Sequence, residues 1–258
     1  MLQNKTKQKL LDGKPVIGTG AQSADPFFTE AIGQAGFDFI LVDGQHAPVG
    51  PEALFSMVRG FADSESDIIF RVTYNETWMI NQALDMGADG VIIPLPNTVE
   101  DVERAVAAAK YPPDGVRSNG PRKTAHLGGN PNYQMRANEE TIVWPQIESM
   151  EAVENIDAIL DVKGIDGIMV GPSDLAYSMG LQPPDLLGHP KAEEVIQHIL
   201  DKCIEHGVPW GMFCGPVEVA NKWLRRGGLI VSADSDVGYV KDGAEAAKQV
   251  LAETVASL

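Results

Sequence analysis

Two acids stand where apolar runs end: Glu148 after Ile142-Val143-Trp144-Pro145-Gln146-Ile147, and Asp174 after Gly167-Ile168-Met169-Val170-Gly171-Pro172-Ser173. A carboxylate is costly inside such a run but useful at its exit, where strands of a parallel barrel open onto an active site. The acids are 26 positions apart, the spacing of equivalent points in successive strand–helix units. Two hard oxygen ligands at that spacing suit one Mg²⁺ or Mn²⁺, with Co²⁺ as a further option, each completed by water or substrate oxygens. Zinc fits less well, because no second histidine or cysteine lies at a matching strand end.

Other strand exits add proton-transfer and anion-binding groups. His46 follows Asp43 by three positions, so the acid can orient the imidazole and favour its charged form. Arg71 interrupts the apolar run Ile68-Ile69-Phe70-Arg71-Val72. A guanidinium there needs an anionic partner, either a structural carboxylate or a substrate carboxylate or enolate oxygen. No lysine falls at a predicted strand exit, so an imine-forming route lacks its nucleophile. His126, His189, His198 and His206 fall on loops or helix surfaces and are read as structural or solvated.

The elements that must position these groups alternate regularly. Strand patterns occupy 15–20, 37–44, 67–73, 90–95, 141–148, 164–171, 209–214 and 229–234. Helical patterns occupy 26–35, 51–62, 77–86, 99–110, 150–160, 191–206, 217–226 and 238–252. Eight strands, each followed by a helix, predict a (β/α)8 TIM barrel forming one domain over 1–258. An open doubly wound sheet would carry a glycine-rich phosphate turn after its first strand, and Gly18-Thr19-Gly20-Ala21-Gln22 does not complete one. Residues 1–12 predict a short helix closing the barrel bottom, and 173–179 another short helix. Two segments break the rhythm: 180–190, and the polar stretch 111–140, which is read as a cover over the site.

Composition narrows the partners. The 258 residues are 44% apolar, enough for one sizeable core, and 20 basic against 36 acidic residues give a formal charge of -16. Such a chain should be repelled by nucleic acid and anionic membranes. No apolar run approaches the roughly 18 residues of a membrane span, and residues 1–9 carry no signal-peptide core. Cys203 and Cys214 are read as buried thiols in a reducing compartment. The chain is expected to be cytoplasmic.

At these residues the chain resembles the HpcH/HpaI aldolase family, the metal-dependent class II pyruvate aldolases that include 4-hydroxy-2-oxoheptanedioate and 2-dehydro-3-deoxyglucarate aldolases. The resemblance covers GFDFILVDGQHAP (36–48), the Arg71 strand, DMGADGVIIP (85–94), AKYPPDGVR (109–117), PQIESMEAVENIDAIL (145–160) and GIDGIMVGPSDLAYSMG (164–180). It implies reversible cleavage of a 4-hydroxy-2-oxo acid to pyruvate and an aldehyde through a metal-bound pyruvate enolate. Glu148 and Asp174 would ligate the cation, Arg71 would stabilise the enolate oxygen, and His46, supported by Asp43, would manage protons. Gln146, Gly171, Pro172 and Ser173 would bind substrate. Asp85 would reach a neighbouring subunit's site in a homohexamer, a trimer of dimers that exchange a C-terminal helix. Where the family usually has glutamate before its histidine this chain has Gln45, Thr19 replaces a frequent aromatic, and Arg117-Ser118-Asn119-Gly120 stands for an RGVG-like turn. An acyl-CoA ester lyase of the malyl-CoA or citramalyl-CoA type and a non-catalytic keto-acid-binding barrel are the alternatives.

Overall fold

The strands are short and mostly apolar, rich in β-branched, aromatic and aliphatic residues, which suits burial on both faces. In the computed structural model, which describes residues 3–120, 133–182 and 188–258, they are β1 (Val16–Ala21), β2 (Phe39–Asp43), β3 (Asp67–Arg71), β4 (Gly90–Ile93), β5 (Ile142–Ile147), β6 (Ile168–Val170), β7 (Trp210–Gly215) and β8 (Ile230–Ser235). All pair in parallel in chain order, and β8 pairs with β1 to close a barrel. The inner layer is a separate apolar cluster that includes Phe39, Leu41, Ile69, Ile92, Trp144, Met169 and Ile230. The outer layer joins the strands' other faces to the helices. Gly18 makes room for the inner layer, since a Cβ there would overlap the Phe39 ring.

Around the barrel lie α2 (Pro26–Gly33), α3 (Pro51–Gly60), α4 (Thr77–Met86) and α5 (Val99–Ala109), after the short α1 (Lys5–Leu11). The clearest sequence signal is α5: Thr98 and Asp101 form a reciprocal capping box, and Val102, Ala105, Val106 and Ala109 are buried at helical spacing. The pattern expected as one helix over 150–160 is divided into α7 (Met150–Glu154) and α8 (Ile156–Leu160). Asn155 breaks it, leaving the helical conformation while its side-chain amide donates to the Asn97 carbonyl. The remaining helices are α6 (Tyr133–Glu140), α9 (Pro172–Ser178), α10 (Pro190–His206), α11 (Val217–Arg225) and α12 (Asp236–Ala256).

The described parts of 111–140 are not where a cover over the chain's own cavity would be. They leave the end of α5 and enter β5, which places them at the strand-entry end, opposite the exits. Lys110, at the C-terminus of α5, is buried and donates to the carbonyls of Asn138 and Thr141, and α6 ends next to β5. Residues 121–132, with Arg122, Lys123 and His126, lie outside the described residues.

That same end is fastened by aspartates standing one or two positions before strands. Asp38 accepts the Ile17 amide at 3.0 Å, Asp89 the Ile68 amide at 2.9 Å, and Asp166 the Val143 amide at 2.9 Å. Each carboxylate therefore ties its own strand's entrance to the preceding strand. The α1 helix closes over them, with Thr6 N–H on Asp67 and Lys7 on Asp166, both at 2.7 Å. At the exit end one acid does similar work: Asp236, 2% exposed, accepts the amides of Gln22, Ser23 and Val237 at 2.8–2.9 Å. This closes the seam between β1 and β8. Asp236→Ala would strand those amides at a buried position and should lower unfolding free energy by about 3 kcal/mol. A fall in the urea midpoint at unchanged slope measures it; an unchanged midpoint would contradict this role.

Candidate active site

Strand register sets the first pair of functional groups. Asp43 and Arg71 are the last aligned residues of β2 and β3, so both side chains point inward at the exit end. They form a two-pronged ion pair, Arg71 Nε to Asp43 Oδ1 at 2.9 Å and Nη2 to Oδ2 at 2.6 Å. The same carboxylate accepts the backbone amides of Gln45 at 3.0 Å and His46 at 3.3 Å. Asp43 thus meets the backbone of His46 rather than orienting its imidazole, which stands exposed at the cavity. Burial pushes the Asp43 carboxyl up, but Arg71 and the two amides outweigh it and hold it below its ordinary value.

Glu148 lies just past β5 and is 2% exposed. Its Oε1 accepts the Leu95 amide at 2.8 Å, and its Oε2 accepts the Gln146 side-chain amide. No lysine, arginine or histidine side chain pairs with it among the described residues. Burial, with the nearby charge of Asp174 adding to it, pushes the Glu148 carboxyl up to about 7 despite the two amides and Arg71. Gly171 is the cradle for this group: a Cβ there would overlap the Glu148 carboxylate and the Gln146 amide. Asp174, exposed, sits in the first turn of α9, whose N-cap is Gly171.

These residues surround one cavity of about 310 Å³, lined by His46, Arg71, Gln146, Gly171, Pro172, Ser173 and Asp174. Its remaining wall is Leu41, Met169, Val170, Phe213, Cys214 and Gly215, largely apolar, and none of them was singled out by sequence as a site residue. Alternation in β7 was the available signal, since Phe213 shares the inward parity of Gly211 and Gly215. Leu95 was also missed; its flanking prolines, Pro94 and Pro96, marked the place without revealing the amide's target. Asp85 is elsewhere: it ends α4 at the strand-entry end and pairs with the buried Arg117 at 2.9 Å. His189 caps α10, and His206 bridges Asp157 and Asp161, so both are structural. His198 lies exposed on α10.

Among the described residues no three or more His, Cys, Asp and Glu side chains gather as a metal cluster. The candidate donors are therefore the pair Glu148 and Asp174. A buried acid held only by amides, beside a second acid and a glycine cradle, fits a hard divalent cation that keeps open positions for other oxygens. Cys203 and Cys214 are free, buried thiols, both pushed up to about 12 by burial.

Comparison with known proteins identifies the family of the chain. Residues 19–242 match the HpcH/HpaI aldolase/citrate lyase family. A Salmonella arizonae protein named 5-keto-4-deoxy-D-glucarate aldolase is 38% identical over 247 residues, 94% of each chain. Among solved structures, a HpcH/HpaI aldolase/citrate lyase family protein from Burkholderia cenocepacia superposes with a TM-score of 0.91 at 30% identity, covering 96% of this chain and 99% of that one. A HpcH/HpaI aldolase from Desulfitobacterium hafniense gives 0.85 at 28%, covering 95% of each.

The Asp43–Arg71 pair makes a pH-dependent contribution whose sign is fixed. Because the folded carboxyl is held below its unfolded value, the stabilisation is present at neutral pH and lost as pH falls through the folded value. Asp43→Asn should cost about 2 kcal/mol at pH 7, and the gap should close at pH below about 3.9. Melting curves of parent and variant from pH 7 to 3 test this; a gap that widened on acidification would refute it.

Proposed function

The chain belongs to the HpcH/HpaI aldolase/citrate lyase family and is a metal-dependent class II aldolase, and we propose that its cavity reversibly cleaves a 4-hydroxy-2-oxo acid to pyruvate and an aldehyde. The observation that carries this reading is the convergence of His46, Arg71, Gln146 and Asp174 on one cavity beside the buried Glu148. The relative's name favours 5-keto-4-deoxy-D-glucarate, whose cleavage gives pyruvate and tartronate semialdehyde. No observation favours the acyl-CoA or non-catalytic alternatives.

Glu148 and Asp174 would hold Mg²⁺ or Mn²⁺, with Co²⁺ as a substitute, and the cation would supply Lewis acidity toward the 2-oxo group. In cleavage the C4 hydroxyl loses its proton, the C3–C4 bond breaks, and its electron pair moves onto the 2-oxo oxygen. His46, exposed at the cavity, would take the hydroxyl proton. Arg71 would face the developing enolate oxygen, its Nε and Nη2 locked by Asp43 so that Nη1 is presented to the ligand. The Ser173 amide, in the first turn of α9, would receive the substrate carboxylate, since the Gly171 amide already donates to the Ile147 carbonyl. Protonation of C3 then releases pyruvate.

We further propose assembly as a trimer of dimers through α12. This helix packs on β1 and β8 only near its start, and from Tyr239 onward its residues are exposed. Val240, Ala244, Ala247, Leu251, Val255 and Leu258 recur every three or four positions, an apolar stripe with no partner among the described residues of its own chain. Asp85 lies at the end opposite its own cavity, so any part it takes in catalysis must be in a neighbouring subunit. No helix among the described residues is long and apolar enough to cross a membrane, and the free thiols suit the cytoplasm.

A pyruvate-coupled assay on 5-keto-4-deoxy-D-glucarate should show turnover that exhaustive chelation removes and Mg²⁺ or Mn²⁺ restores. Undiminished activity after chelation would contradict the role given to Glu148 and Asp174. Arg71→Ala should lower aldol cleavage and oxaloacetate decarboxylation together, on the order of a hundredfold, because both develop charge on the same enolate oxygen; decarboxylation at the parental rate would exclude it. A chain ending at Tyr239 should elute as a smaller species than the parent in light-scattering chromatography, and an unchanged mass would dismiss helix exchange.

A further inference from the structure

Leu95 stands between Pro94 and Pro96 just beyond β4, with a φ of +51°. That left-handed region is uncommon for residues with a Cβ, and a following proline narrows the backbone's choices further. Burial of the side chain does not offset the strain, because Leu95 is 47% exposed. What the conformation achieves is a direction. The Leu95 N–H points at Glu148 Oε1 and donates to it at 2.8 Å. An observed backbone outlier held by its surroundings beside a functional cavity is a signature of a shape the site requires.

We propose that Leu95 is a positioning residue: its left-handed backbone aims one amide at Glu148 and fixes the carboxylate plane from which that acid meets a divalent cation. The Gln146 side chain holds the other carboxylate oxygen, so the two donors together leave little rotational freedom about the terminal torsion. The inference rests on the reading of Glu148 as a cation ligand, and it concerns the leucine's backbone rather than its side chain. The two can be separated, because residues differ in how readily they take positive φ. Glycine does so freely and asparagine well, leucine and alanine alike less readily, and β-branched residues worst.

The test is the Mn²⁺ dissociation constant of the full chain without substrate, read from the electron paramagnetic resonance of free Mn²⁺, with melting temperature as the check on folding. Leu95→Gly and Leu95→Asn should bind within about twofold of the parent, whereas Leu95→Val should weaken binding about tenfold, the scale of one charge-assisted hydrogen bond. Leu95→Ala, with an unbranched Cβ as in leucine, should bind within about twofold of the parent. If the valine variant does not fold, the glycine–threonine pair decides: weaker binding by Leu95→Thr supports the proposal, and equal binding overturns it. Equal affinity in all four variants also overturns it, as does a glycine variant as weak as the valine one, which would assign the effect to the side chain. Glu148→Gln separates the layers. Parental Mn²⁺ affinity in that variant sinks the reading of Glu148 and the Leu95 proposal with it. Lost affinity there, with all Leu95 variants unchanged, overturns the Leu95 proposal alone.

Discussion

A single buried carboxylate organises the exit end of this barrel. Glu148 is removed from water and held by two neutral amides, with no basic side chain in contact among the described residues. In a medium of low polarizability such a group is stable only as the neutral acid or beside a positive charge. The features around it follow from that constraint. Gly171 has no Cβ because the carboxylate occupies the space, Gln146 turns its amide inward, and the chain after β4 bends into an unusual conformation. Asp174 then adds a second negative charge close enough to raise the first acid further.

The opposite treatment of Asp43 makes the contrast useful. This acid is also buried, yet a guanidinium and two backbone amides satisfy it, and its proton is lost more easily than usual. One acid is thus committed to holding Arg71 in a fixed plane, and the other is left wanting a cation. Two carboxylates on the same rim acquire different duties purely from their neighbours.

Much of this was legible in the sequence because it depends on local pattern. Apolar runs ending in turns located all eight strands, and the capping box of α5 located its start. Where pattern was weak the reading faltered. Helix α6 buries only Tyr133 and Ala137 among polar neighbours, so its single buried pair gave no periodic signal. The described parts of 111–140 looked like a cover because length and polarity do not reveal which end of a barrel a connection serves. The spacing of Asp43 and His46 fitted an acid orienting an imidazole, but the pairing of β2 with β3 brought Arg71 alongside, and a guanidinium is the stronger partner. The carboxylates were visible as residues at strand exits; the amides that grip Glu148 were not, since backbone direction at Leu95 is set by three-dimensional context.

The aspartates at the strand entrances bear on how such a scaffold can change over generations. Closure of the cylinder draws on Asp38, Asp89 and Asp166 at one rim, far from the residues that would meet a ligand at the other. Exit-loop residues other than those held by Asp236 can therefore change without touching these ties. A change at an entrance acid acts instead on assembly of the cylinder itself.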